Sequence, residues 1–364
     1  MLIIGCDFHP SGQQVYGIDR ETGEVFADRW ISHAGEELDQ FYGSLPAGVV
    51  VGVESSGNME WFERRLGRYE HRLRIGDAGQ IRARETRRQK HDRRDAELIA
   101  QLLLEDKFPD LRWQPTLGER DLRQLLQHRD KLVRMRTQVK NQLQHIALNQ
   151  GQQKKRQLWS RAGRQLLEQL PLEPWTARRR NDLLRWLEQL DRECAGLDQA
   201  VKEAAEASLE ARRLMTHPGI GPVISLGFVL TVGPIARFQR SRELVSYLGL
   251  NPSEQSSGER RRLGAISKQG SVFMRRLLIQ GAQTAVRGDG ELARQYRRLA
   301  AKKHRAVAKV MVARKLAVRM FWMQKTQQTY PELVRMRGSS SHPGVSMTDR
   351  LCERPASPQD PAAS

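Results

Sequence analysis

The sequence predicts a mixed α/β domain followed by a mainly helical remainder, and three observations carry that prediction. Residues 1–108 alternate short β-branched runs with amphipathic stretches. Residues 109–210 hold long apolar series at three-and-four spacing. Residues 211–330 read as short helices joined by glycine, closing on a strongly helical stretch, "HRAVAKVMVARKLAVRMFWMQ". A final segment, 331–364, is rich in Ser and Pro, has little to bury, and is expected to be a disordered tail.

In order along the chain, "LIIGCDF", "QQVYGID" and "EVFADRW" are strand candidates, the last two linked by the turn "RETG". These three should form a meander. "AGEELDQFYGSL" is helical, and "GVVVGVES" is a central strand dense in valine that ends on polar residues. Helix "MEWFERRLGRY", strand "HRLRIG" and helix "RDAELIAQLLLED" follow, giving crossovers back to the same sheet. Beyond them, Leu122, Leu125, Leu132, Val139, Leu143 and Ile146 keep a helical seam, interrupted by Arg129 and Arg136. Leu183, Leu187, Leu190, Cys194, Leu197, Val201 and Ala204 step by four and three without a miss. The two series predict a coiled-coil helical hairpin, paired within one chain or between chains.

Composition narrows the partner. Among 364 residues, 61 Lys+Arg oppose 42 Asp+Glu, a net charge of +19 spread along the chain, which favours a polyanion such as nucleic acid. Cys6, Cys194 and Cys352 are too scattered for a disulfide framework or a zinc site. No apolar run is long enough for a membrane span, and the first residues do not read as a signal peptide, so a reducing cytoplasmic interior is expected.

Four acids stand out. Asp7 closes the first strand and Glu54 the valine-rich one, while Asp92 and Asp95 lie three apart at the start of a helix and share a face. Carboxylates at adjacent strand ends, joined by a pair from a helix, suit a hard cation such as Mg²⁺, with Mn²⁺ as a substitute. Each acid alone could equally cap a helix or close a turn. Seven Lys/Arg in residues 82 to 94, among them Arg87, Arg88 and Lys90, would gather a phosphodiester backbone beside them.

Further on, Pro218-Gly219-Ile220-Gly221 between two helical patterns resembles a helix-hairpin-helix. Gly219 and Gly221 would let backbone approach phosphate without reading bases. Arg240, Arg242 and Tyr247 then precede "NPSEQSSGERRRLGAISKQGS", in which Ser256 and Ser257 face Arg260, Arg261, Arg262 and Lys268. The residues alone leave two readings open, a phosphate-binding loop or a nucleophile loop. No base is obvious nearby, so a hydroxyl nucleophile would need the acidic site or a group on another chain.

The motifs "GCDFH", "VGVESSG" and "KHDRRDAELIA", with the long run from "LMTHPGIGPV" to "SVFMRRLL", resemble the DEDD transposases. These are bridge-RNA-guided recombinases of bacterial insertion sequences, with related site-specific DNA invertases. The resemblance implies a ribonuclease-H-like (RuvC-like) domain over 1–108, a linker and coiled coil over 109–210, and a transposase domain with catalytic serine over 211–330. It assigns Asp7, Glu54, Asp92 and Asp95 to the metal-binding acids and Ser257 to the nucleophile, and sets Ser256 at a variable position. It further implies a noncoding bridge RNA, donor and target double-stranded DNA, and a phosphoserine intermediate. Assembly into a dimer or tetramer would bring the acids of one protomer to the serine of another, with the protein nucleoid-associated when on DNA. His91 stands where relatives often carry threonine, a departure that leaves the acid pair intact.

Overall fold

A computed structural model describes residues 1–56, 59–84, 91–153, 157–254 and 263–339, the side chains of 263 and 337–339 excepted. The chain divides into two compact units, Met1–Gln114 and Pro115–Ser364.

The first unit runs β1 (Leu2–Phe8), β2 (Gly12–Asp19), β3 (Val25–Ser32), α1 (Glu37–Gly43), β4 (Val50–Glu54), α2 (Glu60–Gly67), β5 (Arg72–Gly76), α3 (Ala78–Arg82) and α4 (Asp92–Leu104). Its five strands form one mixed sheet in the order β3-β2-β1-β4-β5. The first three are antiparallel, whereas β4 and β5 run parallel to β1 through helical crossovers. Alternation then sorts side chains by face. Ile4, Cys6, Val51 and Val53 bury against Phe41, Tyr42, Phe62 and Leu66 of α1 and α2. Ile3 packs on the other face with Ile99, Leu102 and Leu103 of α4.

Helix α4 lies close to the sheet because glycine faces it. A Cβ on Gly5 would stand 2.0 Å from the Ala96 carbonyl oxygen and 2.4 Å from the Ala100 nitrogen. One on Gly52 would stand 2.6 Å from Leu103 Cδ1. Backbone therefore meets backbone where β1 crosses α4, and that contact fixes how far the first turn of α4 stands from the end of β1. The buried Cys6 and Gln13 are answered locally. Cys6 Sγ donates to Gln13 Oε1 (3.2 Å), and Gln13 Nε2 donates to the Tyr42 hydroxyl (2.8 Å).

The second unit contains α5 (Leu117–Asn149), α6 (Arg161–Glu168), α7 (Pro174–Ala207), α8 (Leu209–Met215), α9 (Pro222–Val232), α10 (Ser241–Tyr247), β6 (Pro252–Glu254), β7 (Leu263–Ile266), α11 (Val272–Gly288), α12 (Gly290–Lys302), α13 (Arg305–Lys325) and α14 (Tyr330–Ser339). Helix α5 opens on a capping box between Thr116 and Glu119, and α7 opens with Pro174. The two helices pair antiparallel within the chain. Val139, Leu143 and Ile146 late in α5 pack with Leu183, Leu187 and Leu190 early in α7, while Leu126 packs with Val201 and Ala205. Arg129 and Arg136, which interrupt the apolar series, reach across to Asp198 and Asp191. They flank the seam as cross-helix ion pairs and keep its register.

The C-terminal helices close around α13, whose Val312, Ala313, Leu316, Ala317, Met320 and Phe321 are buried. Arg319 lies at the centre and is fully buried. It donates to Asp289 (2.6 Å), Glu291 (2.6 Å) and the Tyr330 hydroxyl (3.1 Å), and lies 3.3 Å from His217 Nε2. Burial and the bond to Asp289 push the Tyr330 hydroxyl up to about 12. Tyr330 and the buried Leu333 also explain a correction to the expected tail: the stretch 330–339 is helical because it has something to bury. Residues 340–364 lie outside the described ones. Among the described residues, no helix is long and apolar enough to cross a membrane.

Candidate metal centre and serine hairpin

The sheet register places the first acids. Cys6 pairs with Val53 across the parallel β1/β4 ladder, so Asp7 and Glu54 come next on neighbouring strands, both on the face covered by α4. The Gly5 contact sets the first turn of α4 above that point. His91 caps the helix through Nδ1, which accepts from the Arg93 amide (3.3 Å), the work a threonine hydroxyl would do there. Asp92 and Asp95 both lie in the first turn. There the positive end of the helix dipole favours carboxylate.

One ligand atom each from Asp7, His9 and Asp92 lies within 4.8 Å of the other two. His9 Nε2 stands between the acids, 3.1 Å from Asp7 Oδ2 and 3.6 Å from Asp92 Oδ2. Asp7 is mostly covered, while Asp92 is open to solvent, so the cluster has a closed floor and an accessible mouth. Glu54 accepts from Arg82 Nη2 (2.9 Å) and is not part of the three-residue group. Asp95 is half-buried one turn along α4. Two carboxylates and an imidazole at this separation fit a divalent cation: the oxygens suit Mg²⁺ or Mn²⁺, and the imidazole moves the set toward Mn²⁺. His9 is the member that the search for acids passes over. Its signal lies in "GCDFH", where His9 follows Asp7 by two residues, just beyond the end of β1 at Phe8.

Arg87, Arg88 and Lys90 lie outside the described residues, as do Ser256, Ser257, Arg260, Arg261 and Arg262. The serines and these arginines belong to the connection between β6 and β7, which pair antiparallel with Pro252 opposite Ile266 and Glu254 opposite Leu263. The base of this hairpin is clasped by Arg275, a buried residue of α11. Its Nη1 donates to the Leu248 (3.3 Å) and Gly270 (3.2 Å) carbonyls and also to that of Gln269. Gly249 and Gly270, both at positive φ, permit the close approach: a Cβ on either would stand 2.1 Å from a carbonyl oxygen. Nothing in the sequence singles out Arg275 among the many arginines.

Arg240, Arg242 and Lys268 are exposed, the first two at the start of α10 and the last just after β7. Arg237 stacks on both Phe238 and Tyr247, 4.6 Å from each ring centroid. The two glycines of the 218–221 turn differ in their surroundings. Gly219, at φ 85°, backs onto α11, where a Cβ would stand 2.5 Å from the Ala285 nitrogen. Gly221 faces open space at the start of α9. Gly219 thus allows close helix packing, while the Cβ side of Gly221 is open.

Two family models match this chain. One, a transposase model of the DEDD, IS110 type, covers residues 4–150. The other, described as the transposase IS116/IS110/IS902 family, covers residues 211–297. Among curated relatives, the transposase for insertion sequence element IS1111A of Coxiella burnetii is 29% identical over 299 residues, 78% of either chain. A probable family 20 transposase of Pseudomonas aeruginosa is 28% identical over 296 residues, 78% of this chain and 84% of the relative. The transposase for IS1328 of Yersinia enterocolitica is 26% identical over 339 residues, 90% of this chain and 98% of its own.

Proposed function

This chain belongs to the IS116/IS110/IS902 transposase family, an enzyme of DNA transposition, and from that premise we propose that it breaks and rejoins DNA through a covalent link at Ser257. The observation that carries the reading is the convergence of Asp7, His9 and Asp92 at the end of β1. The sheet order β3-β2-β1-β4-β5, with acids at the ends of its parallel strands, supports a RuvC-like assignment for the first unit.

In the proposed reaction, Ser257 Oγ attacks a backbone phosphorus and the P–O3′ bond breaks, leaving a 5′-phosphoserine and a free 3′ hydroxyl. A 3′ hydroxyl of the exchanged strand then attacks the phosphoserine and releases the serine. Each step exchanges one phosphate ester for another, so no outside energy source is required. A divalent ion held by Asp7 and Asp92 would supply Lewis-acid stabilisation of charge on the phosphoryl oxygens. His9 orients both carboxylates. Glu54 would join the set by exchanging its Arg82 partner, and Asp95 adds negative charge on the same helix face. The acids would reach Ser257 through a dimer or tetramer, one protomer serving another. Sequence choice would rest on a noncoding RNA pairing with donor and target duplexes, while exposed arginines such as Arg240 and Arg242 hold backbone.

A nuclease using the acid cluster alone is the rival, since that cluster could direct water at phosphate. The two differ in their products. With donor and target DNA and the RNA that co-purifies from the host, Ser257→Ala is expected to bind but to leave no protein–DNA species on a denaturing gel. Unchanged strand cleavage with free ends by that variant would favour the nuclease.

A further inference from the structure

Trp30 lies on the outermost strand β3, on the same face as the acid cluster, and is 43% exposed. Three features make it more than a stray surface aromatic. Its ring covers Gly12 of β2, where a Cβ would stand 2.4 to 2.7 Å from three indole atoms, so the glycine leaves room for the inner side of the ring. The imidazole of His9 lies against it, centroids 5.8 Å apart, and His9 itself touches Asp7 and Asp92. Two residues before Trp30 on the same face, Asp28 is paired with Arg93, the neighbour of Asp92 on α4. A supported indole is therefore continuous, through His9, with the acid cluster.

We propose that Trp30 is a stacking shelf for an unpaired DNA base beside the phosphate held at the Asp7–His9–Asp92 cluster. Indole surface accepts any base by its π-face, and such stacking is a recurring means of gripping single strands in a basic setting. The chain's net charge of +19 fits a polyanionic occupant. The substrate implied is duplex opened locally at the cut, with one base turned onto the ring. This rests on the reading of the acid cluster as the phosphate site.

Phe26 provides an internal control. It covers Gly17 as Trp30 covers Gly12, with a Cβ there 2.5 to 2.9 Å from three ring atoms, and it is 38% exposed. Covering a glycine across two strands stabilises a sheet whatever the ligand. But Phe26 lies four residues from Trp30, on the order of 13 Å along the strand. A purely structural role would make the two alike.

The test uses the full-length protein with Ca²⁺ present, so that the acid cluster can hold phosphate, and measures binding of a fluorescent oligo-dT by anisotropy beside a duplex of equal length. Trp30→Ala is expected to weaken oligo-dT binding by about tenfold or more. Duplex binding should change little, Trp30→Phe should retain most of the affinity, and Phe26→Ala should match the wild type. Unfolding scans confirm that each variant is folded. Equal oligo-dT binding by wild type and Trp30→Ala overturns the proposal, as does an equal loss in Phe26→Ala. A loss seen with oligo-U but not oligo-dT overturns the assignment to DNA. Because this readout needs no cleavage, failure of the Ser257 chemistry would leave it standing, and its own failure would leave the Ser257 chemistry untouched.

Discussion

His9 shows how one side chain can turn two repelling acids into a site. Asp7 and Asp92 come from different elements, and two carboxylates brought this close repel each other. The His9 ring between them, 3.1 Å and 3.6 Å away, links both carboxylates and fixes their orientation. His9→Gln keeps a hydrogen-bonding head but loses the rigid ring and the imidazole nitrogen. Its affinity for Mn²⁺, followed by the loss of free-ion paramagnetic signal on titration, is expected to drop by about tenfold or more, with little change in thermal unfolding. Wild-type affinity in that variant would mean that His9 only decorates the site. Arg275 makes a related point in the second unit, where one guanidinium ties three carbonyls at the base of the hairpin.

At the scale of elements, the decisive contact is Gly5 against Ala96 and Ala100. Any side chain at Gly5 must push α4 off β1, because the atoms it would meet are backbone and cannot turn aside. Gly5→Ala is expected to cost on the order of 1–3 kcal/mol in unfolding free energy. It should also weaken Mn²⁺ binding, by lifting Asp92 away from Asp7. Gly67→Ala is the comparison, since nothing lies within 4 Å of a Cβ there. It should be neutral or slightly stabilising, and equal losses in both would refute the packing argument. The strands were legible because "LIIGCDF" and "GVVVGVES" are dense in β-branched residues, and Asp7 and Glu54 because each closes such a run. What the sequence hid is distance. Nothing in it reveals that Gly5 meets Ala96 or that Arg82 takes up Glu54, and Arg129 and Arg136 look like breaks until Asp198 and Asp191 stand opposite. Gly219 hid a second demand: its positive φ lets the turn back onto α11, where a Cβ would meet the Ala285 nitrogen, and nothing in the sequence shows that helix as its neighbour.

For the molecule as a whole, the proposed chemistry divides its labour between two units, with the acids in Met1–Gln114 and the serine hairpin in Pro115–Ser364. The sequence offers Ser257 no base of its own, so the proposed chemistry needs the acids delivered, with assembly of several copies as the means. That requirement can be tested by mixing two inactive proteins of distinguishable size, Ser257→Ala with intact acids and Asp92→Asn with an intact serine. Incubated with donor DNA, target DNA and the co-purifying RNA, each alone should give no covalent protein–DNA band. The mixture should restore one, carried by the Asp92→Asn chain, which alone retains the serine. A mixture as silent as its two parents, or a full-strength band from Asp92→Asn by itself, would contradict the account.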